Sequence, residues 1–192
     1  MRRWSRLPGL LAVAAALGVV ASAQGLPLKE RVLGPGELQG FVADRPLATF
    51  RSAQAWYQAK VSGRFKESAA LQARGFVVAV REILKGPNAN AEAGSNVIEF
   101  KTARGARAML AQTIPEIRAG SYAQKRFAVP GIPGALGVAT SAVPGKGILI
   151  AFADRRFYYL LGVAYPPNAK QHPTRASVTA AARSLYRRVH SG

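Results

Sequence analysis

Ile148-Leu-Ile-Ala-Phe-Ala-Asp-Arg-Arg-Phe-Tyr-Tyr-Leu-Leu-Gly-Val-Ala-Tyr165 is the stretch on which the fold turns. Two arms rich in β-branched and aromatic residues flank a charged turn at Asp154, Arg155 and Arg156. Such residues suit a pleated, buried surface, so the stretch is read as a β-hairpin. Pairing Phe152 with Phe157 sets Ile150 opposite Tyr159 and Ile148 opposite Leu161, all six on one face. The other face carries Leu149, Ala151, Tyr158 and Leu160. A hairpin apolar on both faces needs a cover on both.

Moving outward, Leu136 to Ala142 alternates with small residues and reads as a strand. Val143-Pro144-Gly145-Lys146 has the type II turn pattern that returns it into the hairpin. That connection brings Gly137 opposite Phe152, leaving room for the ring. The prolines of Phe127 to Gly134 confine that stretch to an edge or a loop. Beyond the hairpin, Thr174 caps a last helix with Val178, Ala181, Ala182, Leu185, Tyr186 and Val189 on its apolar stripe.

The first half repeats the style. Ser52 caps a helix through Lys60, and Phe65 to Ala73 resumes helix until Gly75. Trp56 is read as core. Phe76 to Leu84 and Asn96 to Lys101 form a further hairpin, with Ile98 and Phe100 inward and Val97, Glu99 and Lys101 outward. Thr102 caps a helix from Ala103, with Ala106, Leu110, Thr113, Ile114 and Ile117 on its stripe. Pro115 predicts a break there, with Thr113 to Glu116 restarting a short turn. The expected fold is one α+β domain over 51–190. It has an antiparallel sheet of about five to six strands with helices packed on it, expected on both faces. Residues 24–50 are expected to be an extended segment laid on the body by Leu33, Leu38 and Phe41.

Arg2, Arg3 and Arg6, the apolar run Leu7 to Val20 and the small-x-small Ala21-Ser22-Ala23 together make a secretory signal cleaved before Gln24. An uncleaved membrane anchor is the alternative. Of the 192 residues none is cysteine, which excludes a lipid-modified cysteine, disulfides and thiolate metal sites. The remaining length suits one domain with a packed core. Removing residues 1–23 takes three arginines from a chain of formal charge +18, leaving +15. A charge of that size attracts polyanions. Outside the cytoplasm, the expected partners are anionic wall polymers, phospholipid headgroups or acidic polysaccharides in place of nucleic acid. An arginine-rich coding bias is the competing explanation.

No catalytic motif emerges. His172 and His190 lack metal-ligand spacing, and no Gly-x-Ser-x-Gly elbow or phosphate loop is present. A spatial triad of Asp44 or Asp154 with His172 stays open. Glu82 and Glu99 could approach across the first hairpin but read as strand-surface charges. Gly34-x-Gly36-x-x-x-Gly40 has the wrong spacing for a dinucleotide fingerprint. No cofactor and no metal is expected.

Val32-Leu-Gly-Pro-Gly-Glu-Leu-Gln-Gly-Phe41, Gly75-Phe76, Phe127-x-Val-Pro-Gly-Ile-Pro-Gly134 and the aromatic hairpin resemble uncharacterised exported proteins of GC-rich bacteria. The order of helices and strands is similar to that of PsbP/Mog1-type envelope proteins. The resemblance implies an antiparallel sheet between helices and an accessory or binding role, and carries over no functional residue. The expected function is an exported, non-catalytic binding or accessory module of the cell envelope. A secreted hydrolase with a dispersed site and a structural partner of another envelope protein are the alternatives. The residues expected to meet an anionic polymer or headgroup are Arg175, Arg183 and Arg187 on the last helix, with Arg104 and Arg107 on the second.

Overall fold

The computed structural model describes residues 25–60, 65–87, 90–119, 123–142, 145–169 and 172–192. The proposed signal segment and the Val143-Pro144 turn lie outside them. Strands β7 (Gly145–Asp154) and β8 (Phe157–Tyr165) form the central hairpin. Its turn is only two residues, Arg155 and Arg156, with Arg155 in the left-handed region at φ 51°. Asp154 therefore pairs with Phe157, and Phe152 with Tyr159. The expected pairing of Phe152 with Phe157 was two residues out. Because side chains alternate, an even slip changes partners without changing faces. Ile148, Ile150, Phe152, Phe157, Tyr159 and Leu161 still share one apolar cluster.

Among the described residues the sheet has eight strands, more than the five or six expected. The remaining six are β1 (Val42–Ala43), β2 (Ala48–Phe50), β3 (Phe76–Lys85), β4 (Glu92–Phe100), β5 (Ala123–Phe127) and β6 (Leu136–Ala142). The order across the sheet is β1-β3-β4-β8-β7-β6-β5, and β2 also pairs with β3. All pairings are antiparallel. The unforeseen strands are the short β1 and β2 and the edge strand β5. They lack the length or the alternation that marks a strand in sequence.

Alternate residues of the sheet supply two cores. One gathers Val80, Leu84, Val97, Ile150, Phe152 and Tyr159 with Leu33, Leu38 and Phe41 of the N-terminal segment. Helix α4 (Arg175–Ser191) adds Val178, Ala181, Ala182, Leu185 and Val189 to it. The other gathers Ala79, Ile98, Phe100, Ala151 and Tyr158. Helices α1 (Ala53–Lys60), α2 (Phe65–Ala73) and α3 (Ala103–Ala119) contribute Ala53, Trp56, Leu71, Ala106 and Met109 to that second core. Val97, expected outward, is fully buried, because both sides of β4 carry a core.

The caps follow the sequence. Ser52 Oγ accepts from Ala55 N–H at 3.1 Å, and Thr102 Oγ1 from Gly105 N–H at 3.2 Å. Thr174 and Ser177 cap one another's backbone in a reciprocal box at the start of α4. Gly75 takes the left-handed position after α2, φ 84°. Pro115 does not end its helix, since α3 runs unbroken to Ala119. Gly137 faces Ile150 and not Phe152. The ring that needs its missing Cβ is Phe127, since a methyl there would lie 2.5 Å from that ring.

Candidate functional site

Helix α4 carries no acidic residue. Its apolar stripe faces the core, so Arg175, Arg183 and Arg187 point outward, eight and four residues apart. All three are exposed, and among the described residues none has an ion-pair partner. Two are nevertheless held in place. The Arg175 guanidinium lies over the Phe127 ring, 4.9 Å from its centroid. Arg183 lies against Gly131, where a Cβ would stand 3.0 Å from Nε. Gly131 has φ 81°, a conformation that suits glycine and brings its bare backbone under the arginine. Between the two arginines runs an open groove of about 580 Å³. Ala128, Pro130, Ala176, Thr179 and Ala180 floor it.

Arg104 and Arg107 do not join this surface. Both are exposed on α3, whose buried Ala106 and Met109 belong to the other core. The basic residues therefore form separate patches. Their distribution along the chain is also uneven. Residues 24–116 hold 13 Lys or Arg and 8 acids, whereas residues 117–192 hold 11 and one acid, Asp154. The α4 helix belongs to the part of the sequence with one acid, although Arg156 and Arg188 of that part pair with Glu99 and Glu37 of the other.

A second basic concavity, of about 630 Å³, was not foreseen. Arg31, Lys101, Arg155 and Arg156 line it beside Glu99 and Phe157. Most of these charges are already engaged. Arg156 pairs with Glu99 at 2.8 Å, and Arg155 donates to the His190 carbonyl at 3.0 Å. Arg31 is buried, 4.1 Å over the Phe157 ring, and donates to the Leu26 carbonyl at 2.9 Å and the Tyr159 hydroxyl at 3.1 Å. Burial pushes the Tyr159 phenol up to about 12, with Arg31 pulling the other way. Arg188 is likewise structural. It pairs with Glu37 and donates to the carbonyls of Val32 at 2.8 Å and Glu30 at 3.1 Å, fastening the N-terminal segment to α4.

The acids and histidines do not assemble as the sequence left open. Asp154 meets His190 Nδ1 at 2.9 Å, not His172. Tyr186 stacks on the His190 ring at 5.1 Å, and the neighbouring Ser191 hydroxyl donates to the Arg187 carbonyl. His172 stacks on Tyr165 and is exposed, while Asp44 pairs with Arg45. Glu82 and Glu99 sit opposite Ser95 and Val78 and so do not face each other. Glu82 is buried on the strand rather than a surface charge, and burial raises its carboxyl above the usual carboxylate range. In the Gly34–Gly40 turn, Gly34 N–H donates to Glu37 at 2.6 Å. Among the described residues no three His, Asp or Glu side chains converge as a metal site. No helix of the described residues is long and apolar enough to cross a membrane.

No family model and no curated protein matches this chain in sequence. Among solved structures, it is similar to the extracellular domain of PknH from Mycobacterium tuberculosis. The TM-score is 0.55 at 14% identity, over 88% of this chain and 99% of that domain. The likeness is one of fold.

Proposed function

We propose that this chain is an exported, non-catalytic binding module whose α4 surface takes up anionic groups of the cell envelope. One observation carries the reading: Arg175, Arg183 and Arg187 stand exposed and unneutralised on a helix without acids. A composition bias toward arginine accounts for the number of such residues. It does not account for acids being spread through residues 24–116 and almost absent afterwards. Guanidinium forks match phosphate and carboxylate oxygens, and two of the three are held by Phe127 and Gly131 before any ligand arrives. The signal-like N-terminus and the fold shared with an extracellular domain support an accessory role outside the cytoplasm. Exported protein should accordingly begin at Gln24 by intact mass.

The test is retention of the 24–192 chain on anionic and neutral liposomes and on a teichoic-acid-like polymer, at low and physiological salt. Binding should favour the anionic surfaces and weaken steeply with salt, because exposed charges are screened over about 8 Å at physiological ionic strength. Arg183→Ser with Arg187→Ser should lose most of it. Equal retention on neutral and anionic surfaces, or a double variant that binds like the parent, refutes the reading.

A further inference from the structure

We propose that the groove between α4 and the Ala128–Pro130 segment binds the alkyl chain of an anionic lipid monomer, with its phosphate between Arg183 and Arg187. The proposal rests on the anion-binding reading above and narrows its ligand to an amphiphile. The composition of the groove decides between a lipid and a polymer of charges alone. A polymer makes use of the arginines but not of the floor beside them. That floor is apolar and exposed at Ala128, Pro130, Ala176 and Ala180. Ala176 and Ala180 leave the outer side of α4 without a long side chain between Arg175 and Arg183, so an alkyl chain can lie along the backbone between two cations.

The geometry gives each part of such a ligand its place. Arg183 and Arg187 are one turn apart, about 6 Å along the axis, and can share one phosphate. From Arg183 the strip runs about 12 Å along α4 to Arg175. There the stacked Arg175–Phe127 pair ends the groove with flat, weakly hydrated faces. The groove is shallow, so a chain lying in it would keep one side in water. Gly131 is part of the same design. Its missing Cβ lets Arg183 lie on the loop instead of swinging into solvent, which reduces the ordering that binding must impose.

Titration of the 24–192 chain with n-alkyl phosphates tests this. The series runs from butyl to decyl, each below its micelle concentration, beside inorganic phosphate and octyl glucoside. Each methylene laid in the groove should tighten binding by about two- to fourfold, the upper figure corresponding to full burial at about 0.8 kcal/mol. The gain should stop once the groove is filled. Ala180→Leu fills the floor without changing charge. It should flatten the chain-length dependence while leaving inorganic phosphate binding as it was. Arg183→Gln should weaken every phosphate in the series by about tenfold. Gly131→Ala should weaken them too, with the charge intact, and circular dichroism checks that each variant is folded. Phosphate binding with no dependence on chain length overturns the lipid assignment and leaves the anion-binding reading standing. No binding of phosphate or alkyl phosphate beyond that of octyl glucoside overturns both. Octyl glucoside binding as tightly as octyl phosphate overturns the lipid assignment in favour of an apolar protein contact.

Discussion

Phe152 is where the central hairpin meets helix α4, and replacing it probes the whole assembly. The side chain is fully buried. It stacks on Tyr159 at 4.6 Å with 13° between the planes, and meets Tyr186 of α4 edge-on at 5.8 Å and 85°. Emptying a buried phenylalanine site costs about 3–5 kcal/mol, because the transfer energy is lost and a cavity remains. The two ring contacts put Phe152→Ala at the upper end, since aromatic pairs contribute about 0.5–1.5 kcal/mol beyond their area. Phe152→Leu keeps most of the volume and forfeits the stacking, so about 1–2 kcal/mol is expected. Against a total of about 5–15 kcal/mol, the alanine variant loses a large part of its stability. Urea melts of the 24–192 chain measure both variants, with the slope expected to stay constant and the midpoint to fall. A cycle pairing Phe152→Leu with Tyr186→Leu should show a coupling of about 0.5–1.5 kcal/mol. An alanine variant within about 1 kcal/mol of the parent, or a cycle that closes to zero, would falsify the placement of Phe152 between hairpin and helix.

Two further perturbations address the fastening of the N-terminal segment and the buried carboxyl. Arg188→Met removes the guanidinium that binds Glu37 and the carbonyls of Val32 and Glu30; it should cost about 1–3 kcal/mol and open residues 26–45 to limited proteolysis, and an unchanged digest would show that the apolar anchors suffice. Burial raises the Glu82 carboxyl above its usual 4.5, so between that pH and the raised value the native chain holds a proton that the unfolded chain has released. Its contribution is therefore greatest in acid and is lost as pH rises through the raised value. Glu82→Gln should flatten that decline and be the more stable protein at pH 7, as thermal melts across pH 4–8 would show; parallel profiles would mean that Glu82 is solvated.

The fold was legible wherever a residue pattern repeats. The stripe of α4, the Ala106, Leu110 and Thr113 part of the α3 stripe (Ile114 and Ile117 lie outside the described side chains), the caps at Ser52, Thr102 and Thr174, and the two hairpins all rest on interactions within a few residues or on periods of 2 and 3.6. What escaped rests on other signals. The register of β7 and β8 depends on whether Asp154 belongs to the turn or to the strand, and apolar residues on both faces leave that choice open to a slip of two. Strand β1 is two residues long and exists because β3 offers it an edge. Alternation along β4 puts Val97 outward only if one face is exposed, and burial on both sides removes that distinction.

The candidate site was legible in part, for a related reason. Any arginine on the solvent side of an amphipathic helix can be named from its spacing, and Arg175, Arg183 and Arg187 were. Whether an arginine is free is a different question, settled by partners far away in sequence. Arg188 adjoins Arg187 but is tied to Glu37, 151 residues away, and Arg31 reaches Tyr159 across 128. Nothing local separates these two from the three that stay unpaired. The groove is equally non-local, since Ala128 and Pro130 enter it from a loop that the sequence marks only by its prolines. Helices α3 and α4 feed different cores, so the arginines of α3 lie apart from those of α4. On the proposed reading, an anion at α4 would meet the arginines of that helix and the groove beside them, without help from α3. In that reading the +15 of residues 24–192 bears on how fast an anion approaches, and local geometry on where it stays.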